Sequence, residues 1–455
     1  MDSSYQMAVR IAEAAARAGG RTYFVGGCVR DRLMGIASKD LDIEVHGVDF
    51  DTLWHILDSL GKPLTMGASF GVMGLKGCAL DVAMPRAERA VGRGHRDFAV
   101  SVDPFLGEER AAARRDFTVN AMMQNVLTGE LLDFFGGRDD LAKRRLRHVN
   151  DQSFPEDPLR VFRGAQFAAR FGFAIAPETR ALCRQMSVRD LAGERVMGEL
   201  EKALLQAEKP SVFFTELREM GQLSVWFSET EALIAVPQPP RHHPEGDVWN
   251  HTMQVLDSAA RLRGGSEYPL ALMLAALCHD FGKAVSTAER DGQLHAYGHE
   301  RAGLPIAERF LRRLTNETRL LRAVLNLTEL HMQPNMLVGM DSGARAYMKL
   351  FDAALCPEEL LFLSKADYLG RGGAGTEADY APTEEKLRAM LGLYRERMAA
   401  DHVMGRDLAE AGISPGPLYG EALRYAHKLR LAGVPKDEQL RQTLGHLRAL
   451  ARKGS

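Results

Sequence analysis

The sequence predicts an α/β head followed by an all-α neck and body, and three observations predict it. Hydrophobic period switches once: residues 20 to about 135 mix short strands with helices, whereas from Pro155 onward nearly every segment has helical spacing. A glycine turn, Val25-Gly26-Gly27-Cys28-Val29-Arg30-Asp31, is followed shortly by an acid-bearing stretch, Lys39-Asp40-Leu41-Asp42-Ile43-Glu44-Val45. Histidines and aspartates are then spread over later apolar helices, from His251 to Asp367. The 455 residues leave room for two to four domains.

Met7, Ile11, Ala14, Ala15 and Ala18 recur at helical spacing and predict an amphipathic N-terminal helix without an uninterrupted apolar stretch. Neither a signal peptide nor a membrane span is expected from it. Thr22 to Val25 reads as a short buried strand, and Gly26 and Gly27 as a turn whose backbone N–H groups face outward. A helix is expected to begin at Val29, with Arg30 pointing at a bound triphosphate. Asp40 and Asp42 lie two apart on a strand and so share a face, where they can hold one or two Mg²⁺ ions. Two metals held that way suit nucleotidyl transfer. A third carboxylate on a neighbouring strand would position the attacking hydroxyl, and Asp81 is the candidate.

A second cluster, Arg114-Arg115-Asp116-Phe117-Thr118-Val119-Asn120, fits about one and a half helical turns. Arg115 is expected to clamp phosphate, and Asp116 and Asn120, four apart on one helix face, to bond a ribose. A third, Glu156-Asp157-Pro158-Leu159-Arg160-Val161-Phe162-Arg163, opens an amphipathic helix with Pro158 in its first turn and puts Asp157 and Arg160 on one face. A carboxylate that accepts beside a guanidinium that donates fits adenine and cytosine, which present an amino donor beside a ring-nitrogen acceptor, and rejects guanine and uracil. Such a site needs no nucleic acid template.

In this order the segments resemble the class II branch of the tRNA CCA-adding enzyme and poly(A) polymerase family, within the polymerase-beta-like nucleotidyltransferase superfamily. The likeness rests on the three clusters above, Ser69-Phe70-Gly71-Val72, Asp133-Phe134-Phe135-Gly136-Gly137 with Asp140-Leu141, and Glu194-Arg195-Val196 with Glu199-Leu200. It covers roughly residues 20 to 225. It implies a nucleotidyltransferase head, CTP and ATP as substrates, the tRNA 3′ end as partner and Mg²⁺ as cofactor. It assigns Gly27 and Arg30 to triphosphate, Asp40 and Asp42 to metal, Arg115 to phosphate, Asp116 and Asn120 to ribose, and Asp157 and Arg160 to base selection with Arg163 nearby. It makes residues 133–141 a hinge between head and neck. Gln166 departs from the pattern, since many members carry an arginine there.

Beyond Val236-Pro237-Gln238-Pro239-Pro240-Arg241-His242-His243-Pro244, which reads as a linker, come His251, His279-Asp280, His295, His299, His331 and Asp367. Imidazoles and carboxylates on successive apolar helices can converge on a divalent ion in a bundle core. The pattern resembles the HD phosphohydrolase superfamily. That likeness assigns His251, His279, Asp280 and Asp367 to a divalent metal of unspecified identity, with His299 and His331 as further candidate ligands. It implies phosphomonoesterase or 2′,3′-cyclic phosphodiesterase activity, assisted by Lys283. Some family members join such a domain to the CCA head and act on RNA ends.

The expected organisation is a head over residues 1–145, a helical neck over 146–235, an HD domain over 245–375 and a helical C-terminal region over 376–455. Gly370-Arg371-Gly372-Gly373-Ala374-Gly375 has no preceding strand and reads as a flexible connector, and Val403 to Leu408 as a small helix-entry element. Lys plus Arg total 58 against 60 Asp plus Glu, so no global basic field marks a nucleic-acid binder. Contacts to RNA then fall to local patches at Arg110 to Arg115, Lys143 to Arg147 and Arg160 to Arg170. The five scattered cysteines form no Cys-x-x-Cys and point to free thiols in the cytoplasm.

The expected function is template-independent addition of CMP, CMP and AMP to tRNA, with HD phosphohydrolase activity in RNA end repair. A CC-adding enzyme, an A-adding enzyme and a poly(A) polymerase remain open within the family. A chain that is chiefly an HD phosphohydrolase and a non-catalytic RNA-binding scaffold remain open outside it. Oligomeric state is not legible.

Overall fold

The computed structural model describes residues 3–37, 41–65, 72–90, 98–241, 243–372, 375–414 and 416–453, and the side chains of all but 87–90, 98–101, 417 and 451–453 of these. Lys39, Asp40, Ser69, Phe70, Gly71, His242, Gly373 and Ala374 therefore lie outside the described residues. The chain divides into two compact units, Met1–Trp226 and Phe227–Ser455.

In the first unit, helix α1 (Ser3–Arg17) buries Ala8, Ile11, Ala12 and Ala15, one residue or so out of step with the expected stripe. Strand β1 (Arg21–Val25), helix α2 (Gly27–Leu33), strand β2 (Leu41–His46) and helix α3 (Phe50–Leu60) follow. Next come strands β3 (Pro63–Thr65), β4 (Val72–Leu75), β5 (Leu80–Ala83), β6 (Arg86–Ala90) and β7 (Phe98–Val102), helix α4 (Glu108–Ala113), and strands β8 (Met123–Asn125) and β9 (Leu131–Leu132). A seven-stranded sheet runs β3-β4-β5-β2-β1-β8-β9, while β6 and β7 pair apart from it. The sheet is antiparallel except where β2 meets β5, and there Asp42 faces Asp81 in register. Ile43, Val45, Leu80 and Val82 alternate with those acids and fill the core against α1 and α3, so the pleat turns the acids to the opposite face.

Helix α5 (Gly137–Ala142) and strand β10 (Arg145–Leu146) lead into helix α6 (Leu159–Phe171), strand β11 (Ala174–Ile175) and helices α7 (Pro177–Gln185), α8 (Gly193–Gln206) and α9 (Ser211–Glu219). The segment expected to hinge is closely pinned. Asp133 caps α5 through the amides of Gly137 and Arg138, at 2.7 and 2.9 Å. Fully buried Asp140 accepts from Thr118 Oγ1 at 2.6 Å, Arg145 Nε at 2.6 Å and Arg147 Nε at 2.9 Å. The arginines expected to form a basic patch here are thus partly spent inside the fold.

Helix α10 (Leu223–Glu231) is interrupted at Phe227, and the second unit is helical but for one hairpin. It contains α11 (Val248–Leu262), α12 (Pro269–Cys278), α13 (Lys283–Ser286), the hairpin β12 (Ala288–Arg290) and β13 (Gln293–His295), α14 (His299–Ala302), α15 (Leu304–Leu314), α16 (Thr318–Leu330), α17 (Gln333–Gly339), α18 (Ala344–Ala353) and α19 (Pro357–Leu369). Helix α12 is apolar all round and buried from Ala271 to Cys278, packed by α11, α16 and α19. Helices α20 (Glu377–Ala399), α21 (Gly405–Glu410), α22 (Pro417–Leu431) and α23 (Lys436–Lys453) complete it. Val403, Leu408, Ala422, Ala426 and Leu447 form their own small core, and α20 packs on α18, α19 and α22.

A Cβ at Gly137 would overlap the Thr118 carbonyl oxygen and come within 2.8 Å of Met122 Cγ, whereas one at Gly198 in α8 meets nothing within 4 Å. Gly137→Ala is expected to lower the unfolding free energy by about 1–3 kcal/mol. Gly198→Ala should leave it unchanged or raise it by up to ~1 kcal/mol, both read by denaturant titration.

Candidate functional site

The first site lies where β1 ends. Gly26 takes φ +69°, which a glycine adopts without strain, and a Cβ there would stand 3.0 Å from Arg115 Nη1. The glycine turn and Arg115 therefore meet directly. Asp42, Glu44, Asp81, Arg114 and Arg115 line one cavity of about 190 Å³. Two facing carboxylates beside two guanidinium groups make a place for a divalent ion and phosphate together. The oxygen donors of Asp42 and Asp81 fit a hard cation such as Mg²⁺.

Glu44 is a residue the sequence reading left without a role. It is buried and accepts from Arg114 Nη2 at 3.1 Å and Arg115 Nη2 at 3.5 Å, with His46 Nε2 at 2.9 Å on its other oxygen. Burial pushes its carboxyl up, but the His46 hydrogen bond and the Arg115 and Arg114 charges outweigh that and carry it down to about 2. Its role is to hold both arginines at the cavity wall. The signal was present as the alternation of Asp40, Asp42 and Glu44.

The 114–120 segment is not the expected α-helix. Phe117 bridges to His148, and Thr118–Asn120 is a single 3₁₀ turn. Asp116 and Asn120 still meet, Nδ2 to Oδ1 at 3.0 Å, because that turn folds the amide back over the carboxylate. Arg163 donates Nε to the other Asp116 oxygen at 2.8 Å, and Arg30 donates Nη1 to Asn120 Oδ1 at 2.6 Å. Arg30 is buried, bonded also to Asp31, with its guanidinium 4.4 Å from the Phe171 ring centre. It lies against the glycine turn, its Nη2 3.4 Å from where a Cβ on Gly27 would stand.

Asp157 and Arg160 do not share a helix face. Asp157 precedes a proline, which disfavours helical backbone, and it sits at φ −118°, ψ 97° ahead of α6. Its carboxylate meets Arg195 Nη2 at 3.1 Å, while Arg160 turns back to donate to the carbonyls of Ser153 and Arg114, both at 2.7 Å. Arg195 was legible only as part of a motif. Gln166 is buried, and neither of its amide atoms has a hydrogen-bond partner among the described residues.

The second site is built on α12, whose C-terminus delivers His279 and Asp280. His251 comes from α11, His299 opens α14, His331 ends α16 and Asp367 comes from α19. All six are buried. Ligand atoms of His251, His279 and Asp367 lie within 4.8 Å of one another, as do those of Asp280, His299 and His331, so both groups could hold a metal ion. His279 Nε2 and the Asp280 oxygens make no well-aligned hydrogen bond, although Asp280 stands 3.2 Å from the His279 and His299 nitrogens and 2.7 Å from Lys283 Nζ. Crowded, poorly aligned donors and acceptors of this kind fit an ion between them. Gly282 permits the approach, since a Cβ there would overlap the His299 carbonyl oxygen.

His243 and Glu245 were missed. Glu245, its side chain fully buried, accepts from His251 Nδ1 and His243 Nδ1, both at 2.8 Å. Burial works against charge on His251, but the bonds to Asp367 and Glu245 raise its pKa to about 9. With an ion in the site, Glu245 would keep the proton on Nδ1 and free Nε2, 3.1 Å from Asp367, to ligate. The segment read as a linker thus forms part of this site. Pro237, Gln238, Pro239 and His243 line its cavity of about 300 Å³, and Gln238 accepts from Lys283 Nζ at 2.8 Å. The glycine run is not a loose connector either. A Cβ on Gly370 would overlap Val255, one on Gly372 would come within 2.7 Å of Glu245, and one on Gly375 would overlap the Tyr368 carbonyl.

Burial pushes the Asp116 carboxyl up, while the Arg163 charge and the bonds from Asn120, Arg163 and the Phe117 amide hold it below its ordinary 3.8. A depressed folded pKa contributes stability above the unfolded value and loses it as pH falls through the folded one. Asp116→Asn is expected to cost about 2–3 kcal/mol at pH 7 and to flatten the decline in stability below pH ~4, read by urea titration across pH. Glu245→Gln should weaken Mn²⁺ binding to the full chain about 10–100-fold by calorimetric titration, and unchanged affinity would remove Glu245 from the site.

Comparison with known proteins follows the same division. Residues 22–147 match the poly A polymerase head domain, 172–234 the probable RNA and SrmB-binding site of polymerase A, and 248–372 the HD domain. The fold is similar to that of the Bacillus stearothermophilus CCA-adding enzyme in complex with CTP, with TM-score 0.66 and 23% identity over 100% of each chain. It is also similar to that of the Thermotoga maritima CCA-adding enzyme complexed with tRNA, with TM-score 0.64 and 20% identity over 98% of this chain and 96% of that one. The Multifunctional CCA protein of Pasteurella multocida is 39% identical over 80% of this chain and 87% of its own length. That of Halorhodospira halophila is 37% identical over 91% and 97%. At that identity and coverage, the chain belongs to the family of the multifunctional CCA proteins.

Proposed function

We propose that this chain adds CMP, CMP and AMP, from CTP and ATP, to the 3′ end of tRNA without a template. The observation that carries the reading is the in-register pair Asp42 and Asp81 in one cavity with Arg114 and Arg115. Asp40 and Asp42 would hold Mg²⁺, with Asp81, paired with Asp42, to position the 3′ hydroxyl. Bound there, Mg²⁺ would polarise the triphosphate and favour the alkoxide nucleophile. The hydroxyl oxygen attacks the α-phosphorus, and pyrophosphate leaves with the electrons of the broken P–O bond. Arg115, Gly27 and Arg30 serve the phosphates, Asp116 and Asn120 the ribose, and Asp157, Arg160 and Arg163 the base.

The second unit is proposed to be a metal-dependent phosphohydrolase acting on RNA ends. His251, His279, Asp280 and Asp367, with His299 and His331, hold its divalent ion. That ion would polarise the phosphate and activate a water. Lys283 brings positive charge to the same cavity. Domain limits are proposed at 1–145, 146–235, 245–375 and 376–455. The five free cysteines support a reducing cytoplasm, and no helix among the described residues is long and apolar enough to cross a membrane.

The test is incorporation of labelled CTP and ATP into tRNA lacking CCA, lacking only A, or complete, beside the Asp40→Ala/Asp42→Ala variant. Growth of the first by three residues with arrest at CCA is expected, and the variant should lose at least about 10³-fold in rate, about 4 kcal/mol of barrier. Stopping after CC, extending CC ends alone or tailing complete tRNA would each replace the reading with the matching relative. No incorporation at all would sink it.

A further inference from the structure

The lining of the HD cavity includes two chemical kinds of group, charged or metal-ligating side chains and aromatic rings. Asp280, His299, His331 and Asp367 line it with Lys283 and Arg371, a place for an anion and its metal. His295 and Tyr297 line it as a stacked pair, ring centres 4.7 Å apart and planes 13° apart. Tyr297 is 72% exposed, an unusual position for so large a ring. Gly298, at φ +72°, turns the chain immediately after it, so that His299 enters the ligand cluster two residues on. Two residues span at most about 7.2 Å between Cα atoms, so Tyr297 stays close to the ligand His299.

We infer that Tyr297, backed by His295, is the platform on which the base of the phosphorylated nucleotide stacks, making it a specificity-determining residue of the HD site. The substrate class is then a nucleotide or RNA end with its base unstacked and splayed outward, in preference to a base-free phosphate ester. This rests on the phosphohydrolase reading of the same cavity. Stacking is tolerant of base identity, since every base has a π-face, so the platform selects for the presence of a base and not for its sequence.

The experiment uses the full-length, metal-loaded protein, cytidine and adenosine 2′,3′-cyclic phosphates, and the methyl riboside 2′,3′-cyclic phosphate that has no base. Tyr297→Ala is expected to raise KM for both nucleotides roughly 10-fold, with kcat unchanged and no effect on the base-free ester. Tyr297→Phe should restore KM, because it keeps the ring. Equal KM in wild type and Tyr297→Ala, or an equal loss on the base-free ester, would overturn the platform. Equilibrium binding of cytidine 2′-monophosphate separates this from the hydrolase reading. Wild-type protein that hydrolyses nothing yet binds the nucleotide about 10-fold more tightly than Tyr297→Ala would end the hydrolase reading and keep the platform. Equal binding by the two would end the platform as well.

Discussion

The first unit depends on one part-buried ion pair, Asp116 with Arg163. An ionised carboxylate taken out of water is stable only when its lone pairs are met. Here Arg163, Asn120 and the Phe117 amide meet them. Because Asn120 then accepts from Arg30, a single chain of charge-assisted bonds joins α2 under the glycine turn, the 3₁₀ turn and α6. Three segments far apart in sequence are held to one another by groups that cannot relax independently. Glu44 repeats the device beside the cavity, where one buried carboxylate sets the position of both Arg114 and Arg115.

The second unit reverses the arrangement. Its ligands depend on an apolar helix: α12 offers no polar surface along its length, so it is buried from Ala271 to Cys278 and His279 and Asp280 emerge at a defined point of the core. Close backbone approaches at Gly282 and Gly370 bring the flanking segments onto that point. Glu245 then orients His251 from outside the cluster, the arrangement by which an outer carboxylate fixes a ligand's tautomer. The site is assembled by packing and tuned by hydrogen bonds.

The two sites differ in what the sequence revealed of them. Asp40 and Asp42 were readable as sharing a face because strand alternation has a strict period, whereas Asp81 was named only as a candidate on a neighbouring strand, and it is the structure that pairs it in register with Asp42. His251, His279, Asp280 and Asp367 were readable by type and order, and the structure brings them together with His299 and His331. Asp157 with Arg160 was misread, because spacing within an assumed helix ignored the backbone restriction that Pro158 places on Asp157. The run from Gly370 was misread because Gly370 and Gly372 answer to neighbours 115 or more residues away, Val255 and Glu245, which local composition does not report.

The sequence by itself determined which local elements form and which chemical groups they carry: the glycine turn, the acidic strand, the apolar helices and the histidines on them. Those follow from period and backbone preference, which act over a few residues. Only the tertiary structure decided what each charged group faces: Arg30 on Asn120, Asp157 on Arg195 and Glu245 on His251. Desolvation is the reason. A buried charge takes whichever partner the folded chain brings within hydrogen-bond reach, and that partner is chosen by long-range packing.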